Sequence, residues 1–306
     1  MTNTLNSEFE KLLEFFLEQR KNPPEIFTHT QGLLTKPSFF SVRKLQSHIN
    51  NPMLDPSWMH LILKGKSVSL EPACLFKPVQ NLQIGFIDKD FINDALAKGA
   101  AVVLEGIDIL EPAINDFVTK LDDALPCSLC SVGAFFSQPG SEAYPAHCDS
   151  DDVLAMQLSG EKTWQIFTPQ QRRYAELDNL TPEQLGPVIQ EVTMRPGDAL
   201  YVPAGVPHFV KTTGDHSLHM SFDLIDKTPS VEQITQEANK LYDYACEDPY
   251  AAPSKVMQKY IKLLESQDFQ GMVSTATQSL KEDAKQFRYR VGRSASVDAL
   301  SKYFQG

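Results

Sequence analysis

His147-Cys148-Asp149 places an imidazole and a carboxylate two residues apart, and His208, 61 positions beyond His147, supplies a second imidazole. On an extended segment residues i and i+2 point to one side, so His147 and Asp149 can reach one ion while Cys148 faces away. Two imidazoles and one carboxylate form the set that holds Fe(II) on one triangular face and leaves the opposite positions open for a co-substrate and dioxygen. By itself H-x-D is weak, because a His and an Asp two apart arise often on surfaces. The second string carries more. Gly197-Asp198 makes a turn, residues 199–202 a short strand, and Pro203-Ala204-Gly205 a second tight turn that sets His208 at the start of the next strand. The competing reading is a hairpin with a surface histidine. The residue types name ligands and leave the metal open.

Such ligands need strands to hold them, and the chain supplies these from about Cys127 onward. Short extended runs at 129–136, 153–158, 163–167, 190–194, 199–202, 208–212 and 218–224 alternate with Gly, Pro and polar turns, the pattern of a β-barrel or jelly roll. Before them, residues 7–20 read as an amphipathic helix with Ser7 as its cap and Glu10 three residues on, stopping before Pro23-Pro24. Residues 91–98 and 110–125 read as two further helices joined by an apolar strand at 100–104. After Pro229 the helical period returns at 231–246, 254–267 and 272–287. The expected organisation is therefore an N-terminal helix (1–26), a barrel domain (27–228) and a helical region (229–306).

Composition narrows the classes. With 306 residues, 42% hydrophobic and 22% charged, the chain has ordinary globular usage. No window approaches the roughly 20 apolar residues of a membrane span, and Met1-Thr2-Asn3-Thr4 lacks the basic and apolar regions of a signal peptide. A cytoplasmic protein with no membrane contact is expected. The five cysteines at 74, 127, 130, 148 and 246 make no disulfide framework and read as reduced thiols; Cys127-x-x-Cys130 finds no second pair to complete a zinc site. Net charge is −11, and residues 229–306 hold ten basic and ten acidic side chains, which leaves 18 basic against 29 acidic in 1–228. An acidic surface repels phosphate backbones, so no direct nucleic-acid binding is expected, and it suits a cationic polypeptide.

Read as G-x5-P-x-G-x2-H, the second string resembles the second conserved motif of the cupins, with Thr212 where that motif often ends in Asn. Metal-binding cupins usually carry two His and a Glu in the first motif. The H-x-D here instead resembles the JmjC-type oxygenases, and among them the group that includes the ribosomal oxygenases. Residues 144–167 support this: after H-x-D come Asp151-Asp152, an apolar strand, Gln157-Leu158-Ser159-Gly160, then Lys162-Thr163-Trp164. The resemblance runs from about Phe27 to Leu224.

It implies a mainly β fold, a double-stranded β-helix (jelly-roll, cupin-type) barrel with N-terminal helices and a C-terminal helical region. It also implies Fe(II) held by His147, Asp149 and His208, with 2-oxoglutarate as co-substrate. Lys162, 15 residues after His147, matches the basic residue that meets the far carboxylate of 2-oxoglutarate, which would otherwise be buried at a cost of several kcal/mol. The competing reading is a solvated lysine in a Gly160-Glu161-Lys162 turn. Ser221 resembles a hydroxyl position that helps hold the same carboxylate, and His219 shares its side of the strand. Trp164, Phe135, Phe136, Phe167 and Phe222 read as barrel packing, and Tyr144 as a border of the substrate entrance. Some ribosomal oxygenases carry Asn and Tyr near the co-substrate where this chain has Gly133 and Phe135.

The implied activity is hydroxylation of a protein side chain, ribosomal proteins being the candidates, with oxidative decarboxylation of 2-oxoglutarate. The alternatives are an oxygenase of a free small molecule and a non-catalytic metal- or ligand-binding cupin. An acidic entrance would favour a protein and a closed apolar pocket a metabolite. The helical run 231–267 is compatible with the dimerising helices of ribosomal oxygenases, hence an expected homodimer. The 39 residues after Gln267 are few for a winged helix.

Overall fold

The computed structural model describes residues 2–80, 82–125, 128–139, 141, 144–168, 180–181, 183–226, 253–275, 278 and 282. In chain order the elements are α1 (Thr2–Lys21), β1 (Thr28–Thr30), α2 (Val42–Ile49), β2 (Met59–Leu63), β3 (Lys66–Val68), β4 (Cys74–Val79), β5 (Leu82–Ile87), α3 (Lys89–Ala97), β6 (Ala101–Leu104), α4 (Ile107–Leu110) and α5 (Pro112–Ala124). There follow β7 (Ser128–Ser137), β8 (Asp152–Phe167), β9 (Val188–Met194), β10 (Ala199–Val202), β11 (His208–Asp226) and α6 (Pro253–Leu264). Residues 267–275 are also helical. The expected helix 231–246, most of 272–287, and Cys127 and Cys246 lie outside the described residues.

Nine strands form one antiparallel sheet in the order β1-β10-β8-β11-β7-β6-β2-β3, with β9 on β8, and β4 and β5 pair as a separate hairpin. The architecture is the expected double-stranded β-helix with helices on its outer face. Along β11, Leu218, Met220, Phe222 and Leu224 are at most 1% exposed and join the cluster under the helices, whereas His219, Ser221 and Asp223 line a cavity inside the barrel. That alternation is the period of two of an extended chain.

The structure joins two pairs of expected strands. Residues 153–158 and 163–167 are one continuous β8, and 208–212 and 218–224 are one β11. A Gly160-Glu161-Lys162 turn therefore does not exist. Gly160 sits at φ +66, where a Cβ would lie 1.9 Å from the carbonyl oxygen of His216, so a bulge replaces the chain reversal. The register shifts twice: between Thr212 and Ser217, where β11 carries the extra residues, and between Leu218 and His219, where Leu158 is the extra residue of β8, two positions before Gly160. Each kink inverts the inside-outside parity of its strand. In β8, Val153 faces the cavity before Gly160, while Lys162 and Trp164 face it afterwards; in β11, His208 and Val210 face it before the kink and His219, Ser221 and Asp223 after it.

Helix α1 begins at Thr2, five residues before the expected cap, so Ser7 is a helical residue and not a cap. No breaker interrupts Thr2–Leu5, and Leu5 packs on the core. Leu12 and Phe16 are fully buried, and Phe16 meets Phe222 of β11 edge-on at 5.7 Å. Phe9 stacks on Phe117 of α5 at 4.9 Å. At its end Arg20 pairs with Asp152, the first residue of β8.

Candidate metal centre

The two strings that lie 61 residues apart in sequence are hydrogen-bonded to each other. His147 and His208 form an isolated antiparallel bridge, N–H to carbonyl at 3.0 and 2.9 Å in the two directions, and Gly205 N–H donates to the Asp149 carbonyl at 2.8 Å. The Pro203–Gly205 turn therefore registers the H-x-D segment against the start of β11. Asp152 locks that turn, accepting from the Ala204 N–H at 2.8 Å and the Tyr201 hydroxyl at 2.6 Å as well as from Arg20.

At the bridge, one ligand atom from each of His147, Asp149 and His208 lies within 4.8 Å of the others. Nε2 of His147 is 3.6 Å from one Asp149 oxygen and Nε2 of His208 is 3.5 Å from the other. His147 donates Nδ1–H to the Pro145 carbonyl at 2.8 Å and His208 donates to that of Val206 at 3.1 Å. Those bonds fix both tautomers and turn two Nε2 lone pairs and a carboxylate toward one point. Burial and the neighbouring His147 hold His208 below the usual imidazole range, so it stays neutral. Three converging acceptors fit a divalent cation. Cys148 points away as expected, buried with Ala146 and Leu180; burial and Asp149 push its thiol up to about 11, so it is not a thiolate.

The centre opens into a cavity of about 270 Å³. Lys162 reaches it from β8 with 1% exposure, and burial alone lowers its ammonium to about 7. Its nearest polar neighbour is Nδ1 of His219 at 3.5 Å. Among the described residues no carboxylate pairs with this ammonium, which fits an anionic ligand arriving from outside, as the far end of 2-oxoglutarate would. Ser221 lines the same cavity, but its hydroxyl donates to Asp223 at 2.6 Å.

Two residues read as barrel packing instead face this site: Trp164 stacks on His208 at 5.3 Å and Phe135 on His219 at 4.8 Å. Phe136, Phe167 and Phe222 line no part of it. Tyr144 does, meeting His147 edge-on at 6.0 Å.

Glu105, Ser131, Asp151 and Asp223 also line the cavity, and sequence reasoning missed them. Ser131 and Asp223 are paired across β7 and β11, a juxtaposition that no local spacing reports. Glu105 follows β6, and its carboxylate occupies the space above Gly133, where a Cβ would come within 2.9 Å of it. A side chain at position 133 would displace it. Burial raises both carboxyls, that of Asp223 to about 7 despite the Ser221 hydrogen bond.

Comparison with known proteins agrees with this geometry. Residues 109–233, which contain all three converging side chains, match the family model of the JmjC domain. This stretch is similar to a JmjC domain. The chain is 31% identical over 123 residues to the bifunctional lysine-specific demethylase and histidyl-hydroxylase NO66 of Aedes aegypti, covering 38% of this chain and 19% of that protein. It is 26% identical over 140 residues to ribosomal oxygenase 2 of Rattus norvegicus, covering 44% and 30%. The chain thus spans under a third of the length of these curated relatives. Beyond the JmjC domain the fold extends to YcfD, a ribosomal oxygenase from Escherichia coli whose complex with cobalt and 2-oxoglutarate is known. That complex superposes with a TM-score of 0.53 at 13% identity, over 83% of this chain and 68% of the other.

Proposed function

We propose that the chain is an Fe(II)- and 2-oxoglutarate-dependent dioxygenase that hydroxylates a protein side chain. The observation that carries this reading is that His147, Asp149 and His208 converge at the mouth of the same cavity into which Lys162 projects. When bound, the metal and co-substrate supply oxygen activation, coupled to decarboxylation of 2-oxoglutarate to succinate. The protein supplies the rest. His147, Asp149 and His208 are the proposed ligands, with their tautomers fixed by the Pro145 and Val206 carbonyls. Lys162 is the proposed partner of the distal carboxylate, and Ser221 borders that subsite through its bond to Asp223. Trp164 and Phe135 wall the pocket against water.

Glu105, Asp151 and Asp223 make the remaining wall acidic, which favours a basic polypeptide over a neutral metabolite. With the JmjC relatives named as histidyl-hydroxylases and ribosomal oxygenases, a ribosomal protein is the proposed substrate. The proposed units are 1–26, 27–228 and 229–306, the last mediating a homodimer, and the proposed location is the cytoplasm. Among the described residues no helix is long and apolar enough to cross a membrane.

Anaerobic addition of Fe(II) and 2-oxoglutarate should give a visible charge-transfer band that His147→Ala or His208→Ala abolishes; no band in the intact protein overturns the oxygenase reading. Ribosomal proteins from cells with and without the gene should differ by one oxygen, about 16 Da, on a single protein, and identical masses would refute that substrate class. Light scattering should return twice the chain mass, and a monomer would refute the dimer.

A further inference from the structure

Lys162 and His219 approach each other from adjacent strands, Nζ to Nδ1 at 3.5 Å, with 1% and 4% exposure. When Lys162 is charged, as an anion-bound site requires, it has donors only, so the Nδ1 facing it is the accepting nitrogen and the ring proton lies on Nε2. Burial and the Lys162 charge hold His219 well below the usual imidazole range, in keeping with a neutral ring. The ring cannot swing away freely: Phe135 stacks on it at 4.8 Å and 18°, and Trp164 meets it edge-on at 5.9 Å and 77°. Among the described residues Nε2 has no acceptor, although His219 lines the cavity. Nε2–H is thus a donor open to the cavity and held in one direction by the two rings, which suits an acceptor carried by a ligand in that cavity.

We infer that His219 is a second co-substrate-binding residue, its Nδ1 holding the Lys162 ammonium in place while its Nε2–H donates to the same distal carboxylate that Lys162 neutralises. This rests on the proposed dioxygenase function. Lysine contributes charge without direction, and the clamped imidazole contributes a fixed donor, so the pair distinguishes a dicarboxylate from a keto acid that lacks the second carboxylate. The seat is built laterally: Lys162 reaches the cavity because the extra residue at Leu158 inverts β8, and His219 because the extra residues between Thr212 and Ser217 invert β11.

The test uses the intact protein loaded anaerobically with Fe(II), titrated with 2-oxoglutarate and with 2-oxobutyrate, which has the same chelating end and no distal carboxylate. His219→Phe should weaken 2-oxoglutarate by ~10-fold or more, the size of one lost hydrogen bond to a charged group. It should leave 2-oxobutyrate within about twofold, the scatter expected of a site with no lost bond. His219→Gln, whose amide offers both an acceptor and a donor, should recover most of the loss. Equal losses for both keto acids, no loss for 2-oxoglutarate, or no recovery by Gln would overturn the assignment. A second measurement needs no variant. In the Zn(II)-loaded wild type with 15N-labelled histidine at about pH 6, where Lys162 is charged, His219 should be the Nε2–H tautomer, and that proton should move downfield on adding 2-oxoglutarate but not 2-oxobutyrate. An Nδ1–H tautomer, or equal responses, would refute it. Absence of a charge-transfer band with either keto acid in the wild type would instead refute the dioxygenase reading.

Discussion

At the scale of single residues, charge distinguishes the two ends of the pocket. Lys162 is buried without an anion, and that burial lowers its ammonium from 10.5 to about 7. In the free protein at pH 8 it is mostly neutral, and a bound carboxylate would favour the charged form. Binding of 2-oxoglutarate at pH 8 should therefore take up a proton, read as a dependence of calorimetric heat on the buffer's ionisation enthalpy; no dependence would contradict the assignment. The sign for stability runs the same way. Between about pH 7 and 10.5 the unfolded chain binds the Lys162 proton more than the native one, so this group's contribution to stability rises with pH across that window. Lys162→Ala should weaken 2-oxoglutarate by ~10–100-fold, from about 1.5–3 kcal/mol for a charge-assisted bond, while metal affinity measured by Co(II) absorption changes little. The convergence of His147, Asp149 and His208 was legible in the sequence because it rests on local rules: alternation in H-x-D and two turns before His208. The acidic wall was not, because Glu105 just after β6 and Asp223 on β11 lie far apart in sequence and come to one cavity only through the lateral order of the strands.

At the scale of elements, kinks matter more than regular strands. The β8 kink combines an extra residue at Leu158 with a left-handed Gly160, and Ala at 160 would need to occupy space 1.9 Å from the His216 carbonyl. Gly160→Ala should cost more than ~1 kcal/mol in denaturant unfolding and should also weaken 2-oxoglutarate, because a slipped register turns Lys162 out of the pocket. An unfolding cost with unchanged co-substrate affinity would separate the bulge from the site. Asp152 performs the same service for the metal centre, tying the Pro203–Gly205 turn and the end of α1 to β8. Asp152→Ala leaves the Ala204 N–H and the Tyr201 hydroxyl without an acceptor. It should lower stability by about 1–3 kcal/mol and metal affinity by ~10-fold, as losses of supporting hydrogen bonds do. From the sequence these strands read as pairs of short ones, because Gly160 and Gly214 look like chain reversals to any local rule. Only the partner strand, kinked opposite, shows that both continue.

At the scale of the molecule, residues 1–228 carry the whole −11 charge and the cavity wall shares its sign. A basic protein substrate, as proposed, would be steered toward the pocket by a field that salt screens over about 10 Å at 0.1 M. Raising salt from ~0.05 to ~0.5 M should raise KM for a basic polypeptide several-fold with kcat nearly constant. A flat KM would argue for an uncharged substrate. Helix α1 contributes to this unit as packing: Phe16→Ala removes a fully buried ring wedged between Phe117 and Phe222 and should cost about 3–5 kcal/mol, measured by denaturant midpoint.

The amino-acid sequence determined the ligand types, the turns that present them and the period of the strands, since each depends on residues within a few positions of one another. Tertiary structure alone decided which side of each strand faces the pocket. The opposed kinks in β8 and β11 set that parity, and a hydrogen-bonded register between distant segments is a property of the pair and of neither strand by itself.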